Sequence, residues 1–153
     1  MHLIWPAIEA KFQGSAKLRK LARRVYLGLG AERQKVPLPY INVNRTGGGP
    51  IETYGQALEV YELQFQLYTK HETPDKCLEL MRVFQIVFHN NCSWPGGEFI
   101  PSEFLRTGQT GPESIDGVYQ ATLEYTMMVQ RVQGVPLPGS VAHAPGTQFS
   151  SAT

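Results

Sequence analysis

The chain has 153 residues, 42% of them hydrophobic and 18% charged, and 14 Lys+Arg against 13 Asp+Glu leave a formal net charge of +1. That length suits one domain with one continuous core, and the near balance of charge does not imply strong non-specific attraction to nucleic acid. The distribution is uneven: residues 1–45 carry nine bases and two acids, a local net of +7, while residues 46–153 carry five bases and eleven acids, a net of −6. Such a split is solvated charge, a basic face for nucleic acid, or a pair of complementary patches through which one subunit meets the next. Two cysteines, Cys77 and Cys92, make no disulfide framework, and no window approaches the roughly 18–20 apolar residues of a membrane span. Folding in a reducing cytoplasm, away from membranes, is the expectation.

In chain order, Ile4, Ile8 and Phe12 recur at helical spacing with Pro6 tolerable only in a first turn, which predicts a short amphipathic helix ending at Gly14. Leu18, Leu21, Ala22 and Val25 repeat that spacing among Lys17, Arg19, Lys20, Arg23 and Arg24. This basic stretch reads as a second short helix or as a turn leading into a strand at Arg24–Leu29. Tyr40 to Asn44 alternates apolar and polar residues after Pro37 and Pro39, a strand. Arg45-Thr46-Gly47-Gly48-Gly49-Pro50 predicts the start of a loop of about ten residues. From Ala57 the alternation is at its clearest, with Tyr61, Leu63, Phe65 and Leu67 on a dry face and Glu62, Gln64 and Gln66 on a wet one.

Thr73-Pro74-Asp75 opens a helix reaching about Asn90, because Thr can cap, Pro fits a first turn and an acid suits the positive end of the dipole. Cys77, Leu80, Met81, Phe84, Val87 and Phe88 form its apolar arc, to be laid across the dry face of the sheet. Glu98–Thr107 reads as a broken strand, and Thr107–Asp116 as a second loop. Val118 to Val132 is a long strand with Tyr119, Ala121, Leu123, Tyr125, Met127 and Val129 on one face and Gln120, Thr122, Glu124 and Thr126 on the other. The fold class is therefore α+β: a mainly antiparallel sheet with an N-terminal helix and one longer helix packed on one face. Residues 1–133 form a single domain, and residues 134–153, rich in Pro, Gly and Ser, are expected to be a flexible tail.

Chemistry is sparse. Cys77, His89 and Cys92 offer zinc-type ligands, but their spacing matches no common finger and a fourth ligand is missing; the competing reading puts Cys77 in the core and His89 at a helix end. The Gly-rich stretch lacks the Lys-Ser/Thr and following helix of a phosphate cradle. No Gly-x-Ser-x-Gly elbow occurs, and His2, His71, His89 and His143 fall at a terminus, a loop, a helix end and the tail, so catalytic, cofactor and metal residues are all expected to be none. The Lys17–Arg24 stretch lacks interleaved aromatics, with only Tyr26 just beyond it, and reads first as a solvated face, second as a contact to an acidic neighbour and third as a nucleic-acid surface.

The order of Arg24-Val25-Tyr26-Leu27-Gly28, Val36-Pro37-Leu38-Pro39-Tyr40-Ile41-Asn42-Val43, Tyr61-Glu62-Leu63-Gln64-Phe65-Gln66-Leu67-Tyr68, a helix, and Gly117-Val118-Tyr119-Gln120-Ala121-Thr122-Leu123-Glu124-Tyr125 resembles the tail terminator, or tail completion, proteins of long-tailed bacteriophages over roughly residues 3–132. The resemblance implies a non-enzymatic virion subunit, assembled in the host cytoplasm, that forms a hexameric ring. Such a ring caps the tail tube protein, meets the neck or head completion protein and lets DNA pass through its lumen. A ring of identical subunits needs two different patches that meet, and the charge split supplies them. The residues placed at that interface are Arg19, Lys20, Arg23, Arg45, Gly48, Gln109, Glu113 and Asp116. Another neck protein, a small α+β enzyme and a nucleic-acid-binding module are the alternatives.

Overall fold

The structure, a computed structural model, describes residues 4–28, 35, 37–53, 56–70, 73–88 and 99–131. Its elements are α1 (Trp5–Gln13), α2 (Ala16–Leu21), β1 (Val25–Leu27), β2 (Tyr40–Thr53), β3 (Gln56–Lys70), α3 (Asp75–Phe88), β4 (Phe99–Ile115) and β5 (Val118–Arg131). The strands form one sheet in the order β1-β2-β3-β5-β4. β1 runs parallel to β2, and every other neighbouring pair is antiparallel. The α+β class and mainly antiparallel sheet follow the sequence reading.

Local chemistry accounts for the helices. Pro6 stands in the first turn of α1, where its missing N–H has no partner to lose. The Ser15 hydroxyl accepts a hydrogen bond from the Leu18 N–H at 3.2 Å and caps α2, so the basic stretch holds a short helix and then a strand. α3 starts with Asp75 at its positive end, and its Leu78 N–H donates to the Pro74 carbonyl at 2.9 Å.

All three helices cover one face of the sheet. Ile8 and Phe12 of α1, Leu18 of α2, and Cys77, Leu80, Met81, Val83, Phe84 and Phe88 of α3 are buried in one core with Ile41, Val43, Tyr61, Leu63, Phe65, Leu67 and the alternating run Ala121–Val129. At its centre Phe65, fully buried, meets Phe84, Tyr125, Phe88 and Phe104 with ring centroids 4.7, 5.7, 5.8 and 6.2 Å away. These are offset and edge-to-face distances that aromatic quadrupoles favour. The other face carries no described helix. Glu62, Gln64 and Gln66 stand on it beside Thr126, Glu124 and Thr122, and Tyr26, Tyr40, Tyr68 and Leu38 form a second small cluster there. Thr122, between Gln66 on β3 and Thr110 on β4, is nevertheless buried, at 9% exposure.

Two expected loops are strands. Arg45–Thr53 does not leave the sheet but pairs with β3 out to Thr53 opposite Gln56, with one register shift between Arg45 and Gly47. The glycines make this possible. Gly48 has φ +102°, and a Cβ there would collide with the Val60 carbonyl, so only the bare backbone fits. Thr107–Ile115 likewise pairs with β5, through register shifts at Arg106/Gly108 and Thr110/Glu113. The hairpin closes on Asp116 and Gly117, with φ of 51° and 78°, the two left-handed residues that a type I′ turn requires.

Candidate subunit interface

The strand order gives the domain two lateral edges. One is β1, with Arg23 and Arg24 just before it and α2 above; the other is β4. Arg19, Lys20 and Arg23 are exposed on the first side, Glu113 and Asp116 on the second, and none of the five makes an ion pair or side-chain hydrogen bond among the described residues. Register places the two groups at the same height: Tyr40 opposes Tyr68, Tyr68 opposes Gln120, and Gln120 opposes Glu113. The Arg23 N–H donates to the Pro39 carbonyl at 3.2 Å, one residue from that row. Part of the sequence split thus places Arg19, Lys20 and Arg23 by one edge and Glu113 and Asp116 by the other at one end of the sheet, with further acids, Glu62 and Glu124, on the open face and Asp75 and Glu79 on α3.

The remaining three candidates are engaged within the subunit. The Arg45 guanidinium lies 4.3 Å over the Tyr61 ring, while its Nε donates to the Gly47 carbonyl at 3.0 Å and its Nη2 to the Val60 carbonyl at 3.3 Å. It clamps the bulge beside Gly48. The Gln109 Oε1 accepts from Arg106 Nη1 at 2.8 Å and from Gln85 Nε2 at 3.2 Å, and the same Arg106 nitrogen donates to Gln85 Oε1 at 2.7 Å. This cluster ties β4 to α3. Sequence reasoning did not pick out Arg106 or Gln85, since a cross-element contact of that kind leaves no local pattern.

Cys77 is buried on α3, where burial pushes its thiol up and the Thr69 hydroxyl pulls it partly back, an environment that disfavours the reactive thiolate. His89 and Cys92, which the sequence reading set beside it as metal ligands, lie outside the described residues, as do His2, His71 and His143. Among the described residues no group of three or more His, Cys, Asp or Glu side chains could hold a metal ion, and no helix is long and apolar enough to cross a membrane.

These elements define a two-layer α+β domain, three helices on one face of a five-stranded sheet. No family model matches the chain, and no curated protein matches it. Among solved structures it is similar to a chain in the virion of a native gene transfer agent particle, with a TM-score of 0.63 and 12% identity over 82% of this chain and 92% of that one. At that identity the likeness is one of fold.

Proposed function

We propose that the protein is a structural component of a virion and that it works by binding other subunits rather than by catalysis. The observation that carries this reading is the fold shared along nearly the whole domain with a chain of a virion particle. Within the virion, the resemblance in element order supports a tail terminator: a hexameric ring, assembled in the host cytoplasm, that caps the tail tube, meets the neck or head completion protein and surrounds the path of the DNA. The two charged edges favour a ring, because a heterologous contact joins different patches of identical chains and closes when a fixed rotation relates them. Basic Arg19, Lys20 and Arg23 on one edge and acidic Glu113 and Asp116 on the other, level with each other, meet that requirement.

The test is to delete the gene from the genome that encodes it and image the particles. Tails of unregulated length that fail to join heads are the expected result, together with sixfold rings of the purified protein in negative stain. Particles with normal tails and normal joining would overturn the terminator role, and a particle map without this chain would overturn the virion role.

A further inference from the structure

Above the end of the sheet, a cleft of about 250 Å³ is lined by Lys20 and Leu21 of α2, Pro39 before β2, Thr69 and Lys70 at the end of β3, and Lys76 of α3. Three lysines thus border a partly apolar floor, and no carboxylate among the described residues lines it. Lys76 has Glu79 3.6 Å away, but both side chains are about half exposed and a pair of that kind binds weakly.

The opposite edge of the same domain carries a knob of matching chemistry. Glu113 and Ile115 lie on one face of β4, opposite Gln120 and Val118, and Asp116 follows in the turn. Ile115 is 54% exposed, an apolar side chain flanked by two exposed carboxylates. The rigid I′ turn presents all three without loop entropy to lose on binding.

We propose that the lysine cleft receives the Glu113–Asp116 end of the β4–β5 hairpin from a neighbouring copy of this chain, Ile115 against Leu21 and Pro39, and the two carboxylates among Lys20, Lys70 and Lys76. Within one chain the knob shares a row with Lys70, two strands away through Val118, but Pro39 before β2 stands three strands from β4, about 14 Å at ordinary strand spacing, so seating Ile115 against Leu21 and Pro39 takes a second copy. Cleft and knob share one height, the cleft over the ends of β2 and β3 and the knob on the β4 edge, so two different patches of identical chains can meet head to tail. A nucleic acid fits less well: no aromatic side chain among the described residues lines the cleft to stack a base, and a phosphate would leave the apolar surface of Leu21 and Pro39 unused, whereas Ile115 covers it. The inference rests on the ring reading and adds the contact that closes it.

The experiment is sedimentation of the full chain over a concentration series, as wild type, as Lys20→Glu/Lys70→Glu/Lys76→Glu, as Glu113→Lys/Asp116→Lys, and as all five together. Each set alone should raise the concentration for half-assembly about tenfold or more, and the combined charge swap should recover most of it. Circular dichroism checks that each variant folds; should the triple variant fail, Lys20→Glu and Ile115→Ser test the same contact singly. Rings unaffected by either set, or no recovery in the swap, would overturn the cleft contact and leave the ring reading standing. A wild type that stays monomeric and is absent from particles would remove both. Loss of binding to a short DNA duplex in the lysine variant, with assembly unchanged, would assign the cleft to phosphates instead.

Discussion

Replacing Phe65 by Ala removes the ring at the centre of the aromatic cluster. Phe65 is fully buried and meets four other rings between 4.7 and 6.2 Å away. Large-to-small changes at such sites cost about 3–5 kcal/mol, the sum of lost transfer energy and a cavity that rigid neighbours cannot fill. Here the neighbours are held from three elements at once, Phe84 and Phe88 on α3, Phe104 on β4 and Tyr125 on β5, so collapse is restricted and the upper half of that range is expected. Against a typical domain stability of about 5–15 kcal/mol this is a large fraction. For a chain of this size it should lower the midpoint of thermal unfolding by roughly 10–15 °C. The control is its neighbour Gln64→Ala, half-buried on the open face, which should stay within about 1 kcal/mol of wild type. Urea titration followed by circular dichroism measures both. A Phe65→Ala loss below about 1 kcal/mol, or equal losses at both positions, would refute the assignment of faces on β3.

Gly48→Ala should destabilise the domain by about 2 kcal/mol or more, since φ +102° and the Val60 carbonyl both reject a Cβ, whereas Gly49→Ala, with nothing within 4 Å of its Cβ, should be near neutral; the same titration separates them. Asn42 is fully buried and neither of its amide atoms has a hydrogen-bond partner among the described residues, so Asn42→Leu should raise stability by about 1–2 kcal/mol, and a loss on calorimetry would mean that the amide is satisfied after all. Burial pushes the Tyr125 phenol up to about 12, against an opposing pull from Arg106, so the protonated form is favoured by the fold: its contribution is complete below the ordinary value near 10 and is lost as pH climbs towards 12. Tyr125→Phe should flatten that alkaline loss in part, because Tyr61 is displaced the same way by its own burial, and stability measured from pH 9 to 12 checks it.

The core was legible in the sequence where one period stood alone. Tyr61 to Leu67 and Tyr119 to Val129 alternate without interruption, and both lie on the helix-covered face as the alternation requires. Asp75–Phe88 was legible from its 3.6-residue arc, except that Val83 is buried where the arc had not included it, because the core reaches further around α3. Gly47 to Pro50 was misread because glycine weakens a strand in isolation, while here pairing with Glu59–Glu62 overrides propensity and the missing side chains admit a bulge. Asp116-Gly117 between alternating residues was a hairpin signal that could have corrected the second loop. Of the proposed interface residues, charge alone marked Lys20, Glu113 and Asp116, but only the strand order puts them toward different edges of the sheet.

That strand order also bears on how the chain folds. Thr53 pairs with Gln56 and Ile115 with Val118, so each hairpin zips from its own turn, whereas β3, left at Lys70, is not met by β5 until Val118. Joining the hairpins therefore closes a long excursion that contains α3 and β4, and its entropic cost must be met before the central seam gains anything. Substitutions at the β3–β5 seam are the ones expected to slow folding, and those in the hairpin ends to hasten unfolding. Until the seam closes, each hairpin exposes an apolar face and an unpaired strand. Successful maturation of the subunit thus depends on how fast the chain crosses from Lys70 to Val118 relative to how often two such hairpins from different chains collide.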